Sequence, residues 1–212
     1  LRFPARTVAA GLGGYVGPGG RALGLGCAVG GSTFALARSF AEVAGVDLSR
    51  RFIQAAEQLR IAGGLAYDIL ESGHVARPAE ARRPDDVDPA RVRFLAGDAL
   101  ALPAELGDFD VIHAANLLDR VPSPRALLAG VAGRVRPGGR LILTSPYTWL
   151  EDYTPRGEWL CAAGRPMHEL IGEALGPRFR SALRADLPFI IREHARKFQW
   201  SVAELTAWDR IA

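Results

Sequence analysis

Arg21-Ala22-Leu23-Gly24-Leu25-Gly26-Cys27-Ala28-Val29-Gly30-Gly31 decides the fold. Arg21 to Leu25 reads as a short buried strand, and it runs without a linker into a glycine-rich turn. Ser32 or Thr33 then caps a helix carrying Phe34, Leu36, Ala37 and Phe40. The same rhythm continues downstream. Val43 to Val46 is a second strand ending at Asp47, and Ser49 caps a helix whose Phe52, Ile53, Ala56 and Leu59 follow the helical period until Gly63-Gly64 stop it. Val92 to Leu95 gives a third strand, followed by Gly97-Asp98, and Phe109 to Ala114 a fourth. Ser123-Pro124, a cap and an N1 proline, open a helix with Leu127, Leu128, Val131 and Val135 on one face. Pro137-Gly138-Gly139 end it, and Leu141 to Thr144 is a fifth strand.

Strands alternating with amphipathic helices imply a parallel sheet covered on both faces. Leu65 to Val75 interrupts the alternation as a small hairpin around Glu71-Ser72-Gly73, and the polar stretch from Pro78 to Pro89 reads as an exposed loop. After Pro146 a loop rich in Trp and Tyr leads to a helix near Met167 to Leu175. Two strand-like stretches, Phe179 to Ala185 and Phe198 to Thr206, can close the sheet as an antiparallel pair. The expectation is one α/β domain over residues 1–212, with a hairpin and loop insertion at about 65–90.

The chain has 212 residues, 49% hydrophobic and 23% charged, the balance of an ordinary globular domain. No apolar run approaches the ~18 residues of a membrane span, and no basic-then-apolar start marks a signal peptide, so a cytoplasmic location is expected. The chain opens on Leu1 and its one methionine is Met167, so upstream residues or a larger parent protein are expected. Cys27 and Cys161 are too few for a disulfide framework or a four-thiolate metal site, and no other His, Cys or carboxylate cluster has metal-ligand spacing. The net charge is +3, but Lys197 is the only lysine among 26 basic residues, which are scattered among 23 acids. No basic block interleaves with aromatics, so nucleic acid is not an expected partner.

Ligands of such sheets sit outside the carboxyl ends of the strands, where the glycine loop lies. A dinucleotide fingerprint starting at Gly24 needs glycines at 24, 26 and 29, and position 29 is Val. That spacing disfavours a hydride-transferring oxidoreductase and fits a loop for S-adenosylmethionine, which has no pyrophosphate for a helix N-terminus. Asp47 can accept both ribose hydroxyl protons, or simply cap a helix. Asp98 can accept from an adenine amino group, or simply shape a turn.

These residues resemble the class I S-adenosylmethionine-dependent methyltransferases. Four segments narrow the likeness: Leu25-Gly26-Cys27-Ala28-Val29-Gly30; Ala114-Ala115-Asn116-Leu117-Leu118-Asp119-Arg120; Thr144-Ser145-Pro146-Tyr147-Thr148-Trp149-Leu150-Glu151; and Pro188-Phe189-Ile190-Ile191-Arg192-Glu193-His194-Ala195-Arg196-Lys197-Phe198-Gln199. Together they resemble the 5-thiohistidine (mercaptohistidine) N-methyltransferase family of ovothiol biosynthesis, from about Phe3 to Arg210. The resemblance implies a Rossmann-like, seven-stranded, mostly parallel sheet with an antiparallel last strand. It also implies methylation of an imidazole ring nitrogen, and an iron-dependent sulfoxide synthase acting upstream, often in the same polypeptide. One departure stands out: members carry an acid where this chain has Gly24, under the methionine end of the cofactor, and a water molecule can fill that gap.

The residues expected around S-adenosylmethionine are Arg6, Gly26, Cys27, Ala28, Gly30, Asp47, Leu48, Asp98, Ala99 and Asn116. Those expected around the acceptor are Tyr147, Trp149, Arg192 and Arg196, with Asn116 and Tyr147 at the reaction itself. Asn116 can serve the cofactor's methionine end or the acceptor ring. Tyr147 and Trp149 can stack on an imidazole or hydrogen-bond it, and Arg192 or Arg196 can pair with a substrate carboxylate. Asp119 reads as a structural partner rather than a base, and His194 as a proton relay or a packed side chain. No Pro-Cys pair is present to attack a cytosine, and Asn116-Leu117-Leu118-Asp119 lacks the prolines and aromatic of nucleic-acid amino methyltransferases, so a small-molecule acceptor is expected. Other readings are the selenium analogue, another histidine derivative, and a cofactor-binding module without catalysis.

Overall fold

A computed structural model describes residues 2–211; Leu1 and Ala212, the ends of the expected domain, lie outside the described residues. Seven strands form one sheet: β1 (Arg21–Leu25), β2 (Glu42–Asp47), β5 (Val92–Ala96), β6 (Phe109–Ala115), β7 (Val135–Ser145), β8 (Phe179–His194) and β9 (Lys197–Arg210). Their order across the sheet is β5-β2-β1-β6-β7-β9-β8. β5, β2, β1, β6 and β7 run parallel, and β9 alone runs against its neighbours β7 and β8. The Rossmann-like architecture with an antiparallel last strand is the one the sequence implied.

The central strands are near-continuous apolar runs because both faces are covered. Ala22 to Leu25, Val111 to Ala114 and Leu141 to Leu143 are all buried. One face packs against α4 (Pro124–Arg134) and α5 (Met167–Leu175) through Leu25, Ile112, Leu128, Leu141 and Ile171. The other packs against α1 (Phe3–Gly11), α2 (Gly31–Leu36) and α3 (Arg50–Ala62) through Val8, Ala22, Phe34, Ala56 and Ile142. Ser49 caps α3 by accepting from the Phe52 amide at 3.3 Å, and Ser123 caps α4 by accepting from Ala126 at 3.4 Å. No helix among the described residues is long and apolar enough to cross a membrane.

Several local expectations need correction. α2 is not capped by Ser32 or Thr33, both of which lie buried inside it; its N-cap is Gly30, at φ 91°. Pro78 belongs to no loop: β3 (Gly64–Ser72) and β4 (Val75–Arg82) form a two-stranded ribbon in which Pro78 pairs with Asp68. Each strand of such a ribbon has a free edge, so an amide missing from proline is tolerated. β8 and β9 also run far beyond their apolar stretches, as one long hairpin that turns at Ala195 and Arg196. Pro188 conceals this in the sequence, but β8 is the edge strand of the sheet.

The first helix, α1, opens on Pro4 in its first turn and is tied to distant strands. Arg140 on β7 pairs with Asp209 on β9 at 2.7 Å and also donates to the carbonyls of Gly11 and Gly13 at the end of α1. Phe3 stacks on Phe189 of β8 with ring centroids 4.5 Å apart. The start of the chain is thereby pinned to its last two strands.

Candidate active site

Because the five parallel strands point the same way, their carboxyl tips share one rim. After β1 the backbone turns through left-handed residues at Gly26 (φ 61°), Ala28 (φ 47°) and Gly30 (φ 91°). At Gly30 a side chain is excluded outright, since a Cβ would lie 2.5 Å from Phe94. Ala28 holds a conformation that costs an ordinary residue ~1 kcal/mol or more. Asp47, at the tip of β2, offsets that cost: its Oδ2 accepts from the Ala28 amide at 2.8 Å and its Oδ1 from the Ser49 amide at 2.9 Å. An ionised carboxylate offers about four lone-pair sites, so each oxygen keeps one for a ligand.

The rim continues through the other tips. Gly97 donates to the Asp47 carbonyl at 3.0 Å, which places Asp98 and Ala99 beside β2. Asp98 Oδ1 accepts from the Leu100 amide at 2.9 Å, a turn that leaves Oδ2 outward. Leu48, next to Asp47 at the tip of β2, is 76% exposed. Asn116, left-handed at φ 52°, donates its amide to the Thr144 carbonyl at 2.7 Å. Its Oδ1 accepts from Thr144 Oγ1 at 3.2 Å, leaving the side-chain NH2 for a ligand. Cys27 is buried, and burial, reinforced by Asp47, pushes its thiol up to about 12, so it is a packing residue of the loop and no nucleophile.

The place an acid would take at position 24 belongs to another side chain. A Cβ on Gly24 would lie 2.9 Å from Thr33 Oγ1, a buried hydroxyl with no hydrogen-bond partner in the described structure. Thr33 of α2 thus stands where a side chain at position 24 would begin.

Past β7 the loop is held from below. Asp119 is fully buried, and its carboxylate accepts from Ser145 Oγ at 2.9 Å, from the Thr148 amide at 3.0 Å and from Arg120 at 2.9 Å. Ser145 Oγ in turn accepts from the Tyr147 amide at 2.9 Å. With three donors converging on its two oxygens from the loop and Arg120, Asp119 is a structural partner. The bracing fixes Tyr147 at φ 53° and turns its phenol toward β9, where it donates to Glu204 Oε2 at 2.7 Å. Glu204 Oε1 accepts from Arg184 Nε at 2.5 Å. Burial, and then the bond to Glu204, push the Tyr147 phenol far above its ordinary value. Trp149 is half-buried beside Tyr147 against the core under α4 and α5. Glu204 escaped the sequence reading because it lies in an apolar strand; only the pairing of β7 with β9, Ser145 opposite Glu204, brings it to the rim.

Residues 23–143 match the family described as "Methyltransferase domain". The chain belongs to that methyltransferase family. The ubiquinone biosynthesis O-methyltransferase of Ralstonia nicotianae is 29% identical over 60% of this chain and 43% of its own, and that of Cupriavidus pinatubonensis is 27% identical over 64% and 45%. The methyltransferase thus spans less than half the length of these curated relatives. Among solved structures, the N-methyltransferase NodS from Bradyrhizobium japonicum aligns over 99% of this chain and 94% of its own, with a TM-score of 0.61 and 18% identity. The magnesium protoporphyrin IX methyltransferase of Synechocystis, with S-adenosylmethionine bound, aligns over 98% and 77%, with a TM-score of 0.58 and 18% identity.

The Synechocystis enzyme holds S-adenosylmethionine, and the rim of this methyltransferase carries groups that suit such a ligand. Asp47 offers carboxylate lone pairs for ribose hydroxyls, Asp98 one for an adenine amine, Leu48 and Ala99 apolar surface for the base, and Asn116 an amide for the methionine end. Gly26 leaves room that a side chain would deny, since a Cβ there would press on Leu117 at 3.1 Å.

Four expected residues sit elsewhere. Arg6 donates to the Pro188 carbonyl at 2.9 Å, so its guanidinium is turned to β8 rather than to the glycine loop. Arg192, His194 and Arg196 lie at the end of the β8–β9 hairpin. Ser145–Glu204 is the last pairing between β7 and β9, and Lys197 to Ala203 continue beyond it, about 20 Å at ~3.3 Å per residue. Arg192 Nε donates to the His194 carbonyl at 3.4 Å, and the Arg196 amide donates to His194 Nδ1 at 3.2 Å. Regular strand pairing carries these groups away from Tyr147.

A buried histidine gives the methyltransferase a testable acid limit. His113 on β6 is fully enclosed beneath α1, and its Nε2 lies 2.9 Å from Thr7 Oγ1. Thr7 spends its own proton on the Pro4 carbonyl at 2.8 Å, so Nε2 is the donor and Nδ1 carries the lone pair. Desolvation lowers the pKa of His113 to about 4. The unfolded chain, with an ordinary value near 6.5, then binds a proton that the native state refuses. Stability is complete above pH ~6.5, falls as the pH drops toward ~4 and levels off below that, by about 3 kcal/mol in all. Urea midpoints measured across this window should show that slope, and His113→Leu should remove it.

Proposed function

We propose that this methyltransferase transfers the methyl group of S-adenosylmethionine to an imidazole ring nitrogen of 5-thiohistidine, the N-methylation of ovothiol biosynthesis. The observation that carries the reading is the braced loop after β7: Tyr147 is locked left-handed over the rim by Ser145 and the buried Asp119, with Trp149 two residues on. This segment, with the one around Arg192 and Glu193, is far more specific than the glycine loop to the thiohistidine enzymes the sequence resembles.

S-adenosylmethionine supplies an electrophilic methyl carbon on a sulfonium, so the chain itself must position the acceptor rather than activate the donor. The nitrogen needs a free lone pair, held in line with the methyl carbon at about 3 Å. The acceptor's thiolate is the stronger nucleophile, so selectivity for nitrogen depends on holding sulfur off that line. Tyr147 and Trp149 supply rigid aromatic surface for that orientation. Asn116 is placed to bridge donor and acceptor. On this reading an iron-dependent sulfoxide synthase, in the same polypeptide or another, makes the acceptor.

The test is direct. Purified protein incubated with S-adenosylmethionine and 5-thiohistidine should add one methyl group by mass spectrometry, assigned to a ring nitrogen by NMR. S-adenosylhomocysteine binding with no methylated product would overturn the reading. Methylation of a catechol in its place would favour the oxygen chemistry named for the ubiquinone relatives.

A further inference from the structure

Glu204 is the one carboxylate hydrogen-bonded to the phenol of Tyr147, at 2.7 Å, and its side chain is only 11% exposed. It stands on β9 opposite Ser145, at the last rung of the β7–β9 ladder, and so on the rim itself. Packing does not explain it, since its neighbours along β9, Ala203, Leu205 and Thr206, fill the core. Nor does its ion pair, because the Arg184 side chain is 55% exposed and a pair so solvated contributes little. Each Glu204 oxygen holds one protein donor, Tyr147 or Arg184, and keeps a lone pair. Asp186, opposite Glu204 on β8, adds negative charge to the same stretch of rim.

We propose that Glu204 is the acceptor's anchor: it receives a hydrogen bond from a protonated nitrogen of the substrate and thereby selects N–H-bearing acceptors over phenols. The proposal rests on the imidazole reading above and deepens it. A neutral imidazole has one N–H and one bare nitrogen. With the N–H held by Glu204, the lone pair belongs to the other nitrogen, which is left to face the donor. That lone pair forms the N–C bond as the C–S bond breaks, and the departing pair stays on sulfur as S-adenosylhomocysteine. The ring becomes a cation whose remaining N–H still rests on Glu204, so the carboxylate opposes the charge that develops during transfer. The ring proton then passes to the carboxylate and on to solvent. A phenol gains nothing comparable: the same carboxylate already holds the Tyr147 phenol in its protonated form, and an acceptor phenol beside it would be held likewise.

Glu204→Gln keeps the shape and removes the charge. It should lower kcat/KM for 5-thiohistidine about ten- to a hundredfold, leave S-adenosylhomocysteine affinity by calorimetry within about twofold, and blur the choice between the two ring nitrogens in the product. Glu204→Asp should restore part of the rate. Histidine, histamine and a catechol are assayed alongside. Thiohistidine methylation unaffected by Glu204→Gln would overturn the anchor and leave the imidazole reading standing. Turnover of only another N–H acceptor, lost in Glu204→Gln, would overturn the thiohistidine assignment and support the anchor. Wild-type preference for the catechol, or loss of S-adenosylhomocysteine binding in Glu204→Gln, would overturn the anchor.

Discussion

Asp47→Ala is expected to weaken S-adenosylhomocysteine binding about a hundredfold, because one carboxylate serves the loop and the ligand together. In the free protein its two oxygens hold the amides of Ala28 and Ser49. Ala28 is the only non-glycine among the three left-handed residues of the loop, so it depends most on an outside partner. A hydrogen bond to a charged group is worth about 1.5–3 kcal/mol. Losing the contacts to a ribose diol, together with the preorganisation of Ala28, should cost about 3 kcal/mol of binding, roughly a factor of 100 or more. Isothermal calorimetry reads the affinity. A thermal melt run alongside should show a smaller loss of stability, since Asp47 is only half-buried. Unchanged affinity would mean that the ribose is held elsewhere on the rim.

The second large effect falls on stability. Asp119→Ala should destabilise the fold by about 3–5 kcal/mol, the usual cost of breaking a buried charged network from one side. The change strands Ser145 Oγ, the Thr148 amide and Arg120 at once, and Ser145 is buried. Asp119→Asn is the sharper probe. It keeps the volume and one acceptor, so it should cost less in urea midpoint yet still loosen Tyr147, whose backbone amide depends on Ser145 Oγ. Methyl transfer should then fall further than cofactor binding does. A midpoint within about 1 kcal/mol of wild type for Asp119→Ala would contradict the bracing role.

What was legible in the sequence was local. The apolar runs of β1, β2, β5, β6 and β7, the Ser49 and Ser123 caps and the glycine loop each declare themselves within a few residues, because burial on both faces and cap chemistry leave compositional marks. Asp47 and Asp98 were readable for the same reason, as polar residues ending apolar strands. What stayed hidden depends on partners distant in the chain. Glu204 reaches the site through a ladder to residues far upstream, and α1 is held by Arg140 and Phe189. The outer half of the β8–β9 hairpin exists because its strands pair with each other rather than because either buries a face. Arg192 and Arg196 looked like substrate ligands since their spacing in the chain says nothing about how straight that hairpin runs. Gly24 lies against Thr33 of α2, a contact between strand and helix that one sequence does not display.

The pinning of α1 against β8 and β9 sets an order on biosynthesis. That helix leaves the ribosome ahead of every strand it rests on, and its docking surface is complete only when the last strands have emerged. Until then Phe3 lacks its stacking partner Phe189, and the carbonyls of Gly11 and Gly13 lack the full Arg140–Asp209 clasp. Contacts so remote in sequence form slowly, so the full docking of α1 belongs to the last stage of folding.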